Sequence, residues 1–536
     1  MKSPRTHHQL SLRVLAWILF GATVATVLWA RIHLARLPLE RDEGEYAYTG
    51  QLLLSGIPPY KFAYSMKFPG TAAAYAVFMA VFGESIVGIH FGLILVNLAT
   101  IALIFFLGRE FLGELGGAAS AASYSILSLM PYVLGNAAHA THFVTFFAVA
   151  GALLLLRSSD RQSPLLVFAT GCLFGLAVLM KQPGLFFVAF GSFYLFTRDW
   201  HARLGLKQIF SRNLLLIGGA ATPCLATVFL LWQAGVLEKF WFWTINYATQ
   251  YGSSVSLTEG LRILAVHFLG VVGKAWPVWV LALIGIIGFV FNRTIRNRAL
   301  FLIPFAFFSA LSVCSGLYFR PHYFIPFLPV VSLLSGAALV GAFSAFRTEA
   351  QNLRLAILMV FAACLAWPLW SERDFFFERP LPEANRMVNG TNPFPESIRI
   401  AEFIRNRSSP ADTIAVLGSE PQIYFYAQRH SATGYIYTYS LMEPQPYAHQ
   451  MQQEMIGEIE AARPKFLILI VIGKSWLAGR DSDQTILRWI ANYCDANYDE
   501  VGLINISNEG SEYFFPSKPQ NVTPTGEHIL VYQRKA

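Results

Sequence analysis

The chain has 536 residues, of which 55% are hydrophobic, 15% aromatic and only 13% charged, with a formal net charge of +8 and a mean hydropathy of +0.46. Soluble globular proteins carry about 25% charged residues, so the composition argues against a soluble protein and indicates a polytopic α-helical membrane protein. The basic residues are scattered among short loops with no aromatic-interleaved cluster, which argues against nucleic acid as a partner, and the five cysteines form no disulfide framework.

The first element is the apolar run VLAWILFGATVATVLWA at 14–30, which follows the polar stretch MKSPRTHHQLSLR. This arrangement is compatible with a cleavable signal peptide or with an uncleaved first span. The run is long for the apolar part of a signal peptide, and many more apolar runs follow. We therefore expect an uncleaved span.

Further apolar runs approach the roughly 20 residues that a membrane span needs. The predicted spans are 14–30, 86–108, 116–134, 140–156, 165–181, 184–197, 213–235, 275–291, 299–316, 323–345 and 354–370. The apolar stretch 70–83 is short for a span and suits a helix that lies in the membrane interface.

The distribution of arginine decides between these two interpretations of 70–83. Lys and Arg favour cytoplasmic loops. If 70–83 does not cross, the inside loops are 1–13, 109–115, 157–164, 198–212, 292–298 and 346–353, which hold most of the loop arginines. If it crosses, these loops change sides and the rule fails. We therefore predict about eleven spans, with the loop 31–85 and everything after Trp370 outside.

The region after the last span has a different composition. A Pro-rich linker, 371–394, precedes residues 395–536, in which helix-like stretches (SIRIAEFIRNR, EMIGEIEAA, DQTILRWIANYC) alternate with strand-like ones (TIAVLG, KFLILIVI, HILVYQR). This alternation predicts an external α/β domain with an at least partly parallel sheet. The turn LGSEPQIYFYAQR lacks a Gly-rich fingerprint and a phosphate-loop lysine, so an acceptor-recognising or docking role is favoured over nucleotide binding.

Four charged residues, Arg41, Asp42, Glu43 and Glu45, begin the first external loop. One interpretation is structural: Asp42 and Glu43 mark a helix start, and Arg41 pairs with Glu45. The other is chemical, because Lys67 follows in the same loop. A carboxylate can take a hydroxyl proton as general base, and an ammonium can neutralise a phosphate. Transfer of a group from a lipid phosphate to a hydroxyl needs both.

The loop RDEGEYAYTGQLLLSGIPPYKFAYSMKFPGTAAAYAVFMAVFG resembles the first external loop of the GT-C membrane glycosyltransferases. It is closest to the group of protein O-mannosyltransferases and lipid A aminoarabinose transferases. The matching positions are Asp42-Glu43, Tyr46, Ser55-Gly56, Lys67-Phe68-Pro69 and Phe82-Gly83. GLAVLMKQPG, which contains Lys181, and YFRPHYFIPFLPVVSLLSG, which contains Arg320, His322 and Tyr323, are similar to later motifs of the family. The resemblance covers about 1–370.

Two positions depart from the family pattern. Phe68 stands where the first proline after the lysine is expected, which is a mild change. More importantly, His139 and His142 lie near the outer end of the fourth span, where family members often have an acidic residue. No metal site can therefore be carried over from relatives.

The resemblance implies a polyprenyl-phosphate-linked sugar as donor and transfer on the external face. Asp42 would be the general base, and Glu43 would orient its partner or contact the sugar. Lys67, Lys181 and Arg320 would stabilise the leaving lipid phosphate. Alternatively, Lys181 snorkels at a span end, and Arg320 is an interfacial anchor beside tyrosines. If the acceptor were a phosphate, no base would be needed and Asp42 would position groups instead.

His139 and His142 are three residues apart and share a face if helical. Three roles stay open: a divalent metal ion, although no third ligand is evident nearby, contact with sugar or phosphate, and interfacial packing. The predicted catalytic residues are Asp42 and Glu43. The predicted substrate-binding residues are Tyr46, Lys67, His139, His142, Lys181, Arg320, His322 and Tyr323.

The predicted localisation is the plasma (inner) membrane, with multiple spans and the C-terminal domain outside. The acceptor is a lipid, a glycan or a protein. The alternative function is a transporter or flippase of lipid-linked sugars, which predicts charged or broken helices at mid-membrane. The predicted spans are nearly free of charge, which favours the enzyme.

Overall fold

Apolar helices make up most of the first 370 residues in the computed structural model, which describes residues 4–161, 163–291, 299–345, 351–515 and 522–535. All eleven predicted spans fall on helices. The helices are Pro4–Leu34, Ile86–Leu127 (two predicted spans), Ala140–Arg161, Pro164–Met180, Leu185–His201, Leu206–Gln233, Trp276–Phe291, Ala299–Val313, Leu328–Ala345 and Gln351–Ser371.

Among the described residues, seven segments are long and apolar enough to cross a membrane, and further apolar helices are shorter. The chain is thus a polytopic α-helical membrane protein, as predicted, while the number of eleven spans stays a prediction. The predicted inside loop 292–298, like residues 346–350 of the loop 346–353, lies outside the described residues.

The helix Ile86–Leu127 contains a reversal at Gly113, whose φ of 73° and ψ of −177° are not helical. A Cβ on Gly108 would lie 3.0 Å from the Cα of Gly117, although nine residues of straight helix would span about 13 Å. The two halves therefore fold back on each other as separate helices. This is where the sequence places the loop 109–115 between two spans.

Shorter elements connect these helices. They are the helices Arg41–Leu54, Gly70–Phe82, Leu237–Trp241, Ala248–Gly252 and Leu257–Val272, the π-helices Phe242–Tyr247 and Asp374–Glu378, and the 3₁₀ turns Pro131–Val133, Gln182–Gly184, Gly273–Ala275, Ser315–Leu317 and Pro321–Phe327. The stretch 70–83 is thus helical, as expected. The helix Leu257–Val272 was not predicted from the sequence.

The chain divides into two compact units. The first contains residues 1–35, 90–229 and 251–379. Its helices pack through small residues, as is usual between membrane helices: Ser123 and Ser335 share a hydrogen bond of 2.9 Å, and a Cβ on Gly336 would lie 2.2 Å from the Oγ of Ser120. The buried Arg31 donates to the carbonyl oxygens of Gly135 and Ser128, both at 2.8 Å.

The second unit contains residues 36–89, 230–250 and 380–536. It is built on a five-stranded sheet of order β1-β2-β5-β3-β4, where β1 is Ile414–Leu417, β2 Phe466–Val471, β3 Tyr498–Ile506, β4 Ser511–Phe514 and β5 Glu527–Arg534. The pair β1–β2 is parallel and the other pairs are antiparallel. The predicted partly parallel sheet is confirmed, although β3 and β4 were not predicted.

Helices of the second unit are Leu381–Asn389, Phe394–Arg405, Gln422–Ala427, Tyr439–Met442, Ala448–Ala462, Gly473–Trp476 and Thr485–Asn497. The three predicted helical stretches of this region fall on three of these helices and extend past their ends by at most two residues. The predicted domain boundaries, 1–370, 371–394 and 395–536, stay a prediction.

A close backbone contact explains the glycine in the acidic motif. Helix Arg41–Leu54 crosses helix Gln422–Ala427 at Gly44, where a Cβ would lie 2.6 Å from the backbone nitrogen of Gln422. No rotamer change can relieve a conflict with backbone. The acid-rich loop is therefore packed directly against the sheet-bearing part of its own unit.

We expect Gly44→Ala to destabilise the protein by about 1–3 kcal/mol, because the methyl group forces the two helix backbones apart. The measurement is the thermal unfolding midpoint in detergent. Gly457→Ala is the control, since nothing lies within 4 Å of a Cβ at this exposed helical position, and alanine should stabilise by roughly 0.5–1 kcal/mol there. Equal midpoints for the two variants would contradict the close packing at Gly44.

Candidate active site

Two carboxylates and a lysine form an ion-pair cluster, which we call the Asp42–Glu45–Lys67 cluster. The Nζ of Lys67 lies 2.9 Å from Oδ1 of Asp42 and 2.6 Å from Oε2 of Glu45. Asp42 and Glu45 are three residues apart on helix Arg41–Leu54, so they share a face. The side chain of Asp42 is 22% exposed, that of Lys67 15% and that of Glu45 6%. The cluster is half-buried, and Asp42 is its most accessible member.

The loop that carries Lys67 is fixed by hydrogen bonds. The backbone N–H of Lys67 donates to the Oγ of Ser65 at 3.1 Å, and the Ser65 hydroxyl donates to Glu45. The hydroxyl of Tyr60 donates to the carbonyl oxygen of Lys67 at 2.8 Å. Lys67 is therefore held from both its backbone and its side chain.

Two tyrosine rings complete the surroundings of Lys67. Its Nζ lies 4.6 Å from the ring centroid of Tyr46 and 5.7 Å from that of Tyr437, distances typical of cation–π contacts. The Tyr437 hydroxyl donates to Oδ1 of Asp42 at 3.1 Å. Burial lowers the pKa of Lys67, but Asp42 and Glu45 outweigh burial and raise it well above its usual value. Lys67 therefore stays positively charged at neutral pH.

Glu43 has a structural partner. Its Oε2 accepts the backbone N–H of Glu40 at 3.1 Å, while Oε1 of Glu40 accepts the N–H of Glu43 at 2.8 Å. These reciprocal bonds form a capping box at the start of the helix. The structural interpretation of Glu43 as part of a helix start is thus correct, and its predicted catalytic role stays a prediction.

Arg41 does not pair with Glu45, as the structural interpretation of the sequence expected. It lies 2.5 Å from Oε1 of the fully buried Glu420 and donates to the Ser419 carbonyl oxygen at 2.6 Å and to the Tyr439 hydroxyl at 2.9 Å. Burial disfavours the charge of Arg41, but Glu420 together with Tyr439 and Tyr437 outweighs burial and raises the pKa of the guanidinium. Adjacent residues of the motif thus serve different networks.

We expect Arg41→Met to destabilise the protein by about 3–5 kcal/mol, because it leaves the carboxylate of Glu420 buried without its ion-pair partner. Lys465→Met is the control: the partly exposed Lys465–Asp412 pair has a 2.9 Å separation and side-chain exposures of 37% and 29%, so its loss should cost about 1 kcal/mol or less. Chemical unfolding in detergent measures both. A similar loss for the two variants would show that Arg41 is not an anchor.

In the first unit, four of the predicted substrate-binding residues form a continuous row. The rings of His139 and His322 stack at 3.9 Å with 7° between their planes. His322 then contacts Tyr323 edge to face at 4.8 Å, and the Nζ of Lys181 lies 3.8 Å from the Tyr323 ring centroid. These residues come from three distant parts of the sequence. Because the four side chains contact one another, the arrangement favours a shared binding site over separate anchoring of each residue at the membrane interface.

His142 lies outside this row. Its side chain is 1% exposed, and neither ring nitrogen has a hydrogen-bond partner among the described residues. A buried imidazole without such a partner indicates a place where a water or a bound group is expected. Its role in binding substrate stays a prediction.

Arg320 borders a cavity in the same unit. The cavity has a volume of about 370 Å³ and is lined by Arg262, Ile263, Val266, His267, Tyr318 and Arg320. Two guanidinium groups next to apolar side chains suit an anion that carries an apolar chain.

The loop before Arg320 adopts unusual backbone conformations. Leu317 and Phe319 have φ angles of 56° and 42°, which cost non-glycine residues of order 1–3 kcal/mol each and cluster at functional sites. The carbonyl oxygen of Phe319 lies 2.7 Å from Nδ1 of His267. This contact helps to hold the loop that presents Arg320.

The sequence analysis did not identify Glu45 as a member of the cluster or Tyr437 as a residue that contacts it. It also did not identify Arg262 and His267 as cavity residues. The spacing of Glu45 from Asp42 could have revealed that both lie on one helical face. No local signal could have linked Tyr437 to Asp42, because 395 residues separate them.

Comparisons with known proteins agree on the fold. Residues 67–232 match the family model described as dolichyl-phosphate-mannose-protein mannosyltransferase. The structure of ArnT from Cupriavidus metallidurans bound to undecaprenyl phosphate matches with a TM-score of 0.56 and 16% identity, covering 84% of this chain and 92% of ArnT. No match was found among the curated proteins.

A second group of structures shares the same architecture. The archaeal oligosaccharyltransferase AglB from Archaeoglobus fulgidus, in complex with an inhibitory peptide and a dolichol-phosphate, matches with a TM-score of 0.55 and 12% identity, covering 95% of this chain and 75% of AglB. The same oligosaccharyltransferase in complex with zinc and sulfate matches with a TM-score of 0.53 and 13% identity, covering 94% and 74% of the two chains.

These matches define a polytopic membrane protein with the fold of the GT-C glycosyltransferases and a C-terminal α/β domain. The resemblance to the protein O-mannosyltransferase and lipid A aminoarabinose transferase group, predicted from the loop that begins at Arg41, is confirmed.

Proposed function

We propose that the chain is a glycosyltransferase that moves a sugar from a polyprenyl-phosphate-linked donor to an acceptor on the external face of the plasma (inner) membrane. The observation that carries the proposal is the Asp42–Glu45–Lys67 cluster, in which an accessible carboxylate is held by a lysine and a tyrosine. The ligands bound in the structures of two proteins with this fold, undecaprenyl phosphate and dolichol-phosphate, support a lipid phosphate as carrier.

Asp42 acts as general base. The acceptor hydroxyl oxygen attacks the anomeric carbon and forms the new glycosidic bond, while its proton passes to Asp42. The bond between the anomeric carbon and the phosphate oxygen breaks, and the polyprenyl phosphate leaves with the electron pair. A positioned base of this kind contributes about 10²–10⁴-fold to a rate. With a phosphate acceptor there is no proton to remove, and Asp42 would position groups instead.

Lys67 orients Asp42. The sequence assigned Lys67 to the lipid phosphate, but its Nζ is already bound by two carboxylates at 2.9 and 2.6 Å. A fixed positive charge in that position holds the carboxylate of Asp42 and offsets the repulsion between Asp42 and Glu45.

The leaving phosphate is stabilised by Lys181 and Arg320. A phosphate needs fixed positive charge rather than a proton, since it is already a good leaving group, and preorganised charges act strongly where water is excluded. Lys181 belongs to the row with Tyr323 and His322. Arg320 lies at a cavity that has a second guanidinium, that of Arg262.

His139 and His322 are candidate ligands of a divalent metal ion, because one nitrogen of each ring lies within 4.8 Å of one nitrogen of the other ring. Joint binding requires the stacked rings to rotate, since imidazole binds a metal in its own plane. Imidazole nitrogen is a common ligand of zinc and of other transition metals. A bound metal would supply positive charge near the lipid phosphate. The acceptor is a lipid, a glycan or a protein.

We expect Asp42→Asn to lower sugar transfer about 10²–10⁴-fold, because the amide cannot accept the acceptor proton. The assay follows radiolabelled sugar from native membrane lipids, or from a short-chain polyprenyl-phosphate donor, into acceptor at matched expression. Asp412→Asn is the control, since Asp412 also pairs with a lysine, Lys465, at 2.9 Å, but this partly exposed pair lies outside the Asp42–Glu45–Lys67 cluster. Equal transfer by Asp42→Asn and the unmodified protein would exclude Asp42 as the base.

The same assay separates the enzyme from the alternative function, a flippase of lipid-linked sugars. A flippase leaves the sugar on its lipid, so the labelled donor would persist and change leaflet. Consumption of donor only when intact Asp42 is present supports the transferase.

We expect Arg320→Met to raise the KM for the donor about tenfold or more, because it removes a charge-assisted contact to the lipid phosphate worth about 1.5–3 kcal/mol. Initial rates at varied donor concentration give KM. Arg488→Met, at an exposed position of helix Thr485–Asn497, is the control. An unchanged KM for Arg320→Met would show that Arg320 does not bind the lipid phosphate and would favour the alternative role of an interfacial anchor.

A further inference from the structure

Tyr437 lies in the segment 430–439, more than three hundred residues after the acidic motif that it contacts. Its hydroxyl donates to Oδ1 of Asp42 at 3.1 Å. The Nζ of Lys67 donates to the same oxygen at 2.9 Å. Two donors from distant parts of the chain thus converge on one oxygen of Asp42, which fixes the plane of the carboxylate.

The two donors differ in stiffness. Lys67 ends a flexible four-carbon stem with three rotatable donors, so its ammonium can follow the carboxylate if Asp42 changes rotamer. Tyr437 has a rigid ring, and its hydroxyl lies at a nearly fixed point once the ring is packed. Tyr437 therefore defines where Asp42 points, while Lys67 mainly supplies charge.

The segment around Tyr437 is held on both sides. The Thr438 N–H donates to the Ser419 Oγ at 2.9 Å, and the Thr438 hydroxyl donates to the Ser475 carbonyl oxygen at 3.1 Å. Upstream, the carbonyl oxygen of Gly434 accepts the N–H of Tyr64 at 2.7 Å. The segment that carries Tyr437 is thus held by residues of its own unit on one side and by the first external loop on the other.

The protonation of Tyr437 agrees with a donor role. Burial first, and then the nearby charge of Asp42, raise the pKa of Tyr437 well above its usual value. The phenol therefore keeps its proton at neutral pH and can donate to the carboxylate.

We propose that Tyr437 is a positioning residue for Asp42, so that the C-terminal region takes a direct part in the transfer reaction rather than only covering or displaying it. The inference rests on the proposed function. Tyr437 acts through Asp42: its hydroxyl holds the carboxylate in the orientation in which it receives the acceptor proton.

Tyr439 provides a matched comparison two residues away. Its hydroxyl accepts from Arg41 at 2.9 Å and donates to the Lys474 carbonyl oxygen at 2.7 Å, so it belongs to the anchor of Arg41 and not to Asp42. Tyr437→Phe removes the hydrogen bond to Asp42, the proposed base. Tyr439→Phe removes the hydrogen bonds to Arg41 and to the Lys474 carbonyl oxygen, which are structural contacts.

The experiment measures kcat, donor KM and the thermal unfolding midpoint for Tyr437→Phe and Tyr439→Phe. Tyr437→Phe should lower kcat roughly 10- to 100-fold, as loss of a hydrogen bond to a charged group predicts, with donor KM changed less than about threefold and the midpoint unchanged. Tyr439→Phe should lower the midpoint with a smaller effect on kcat. An unchanged kcat for Tyr437→Phe, or a fall explained by an equal loss of stability, would overturn the proposal.

A double-mutant cycle with Asp42→Ala tests whether Tyr437 acts through Asp42. Measured over long incubations, Tyr437→Phe should change the residual rate less than about twofold in the Asp42→Ala background. The same 10- to 100-fold loss in both backgrounds would show independent action and reject the inference. If Asp42→Ala transfers as well as the unmodified protein, the proposed function itself fails; if Asp42→Ala is impaired and Tyr437→Phe is not, only the role of Tyr437 fails.

Discussion

The structure of the acid-rich loop depends on how its charges are neutralised. Buried charge is costly unless it is paired and hydrogen-bonded. Neighbouring residues of this loop find their partners in different parts of the chain. Arg41 pairs with the fully buried Glu420, while Asp42 and Glu45 share Lys67. The first pair anchors helix Arg41–Leu54 to the sheet-bearing part of the second unit. The second leaves Asp42 half-buried and accessible. One short motif thus supplies both the fixed support and the reactive group.

Close backbone packing reinforces this arrangement. Gly44 allows helix Gln422–Ala427 to approach, and Gly50 lies against helix Gly70–Phe82, where a Cβ would be 3.0 Å from the Ala72 carbonyl oxygen. The helix that carries Asp42 is therefore clamped on two sides. A base that must meet a reacting hydroxyl within hydrogen-bond reach needs such support, because small displacements cost large factors in rate.

The first unit follows a different rule. Its helices are apolar and pack through serine and glycine. The row from His139 to Lys181 and the cavity at Arg320 both lie beside short 3₁₀ turns, Pro321–Phe327 and Ser315–Leu317. In membrane proteins, irregular backbone is tolerated where it is buried in protein or lines a cavity. Strain at Leu317 and Phe319 marks the same place.

The sequence by itself determined the membrane class, the helices at the predicted spans and the strands β1, β2 and β5 of the C-terminal sheet, because hydropathy and periodicity are local properties. The order of residues in one loop singled out Asp42 and Lys67 as candidate site residues. It also pointed to His322 and Tyr323 through the family resemblance. Only the tertiary structure decided that Arg41 pairs with Glu420 and that Tyr437 reaches Asp42. These partners lie up to 395 residues apart, and which charge meets which is decided by packing and burial, of which a linear sequence carries no direct record.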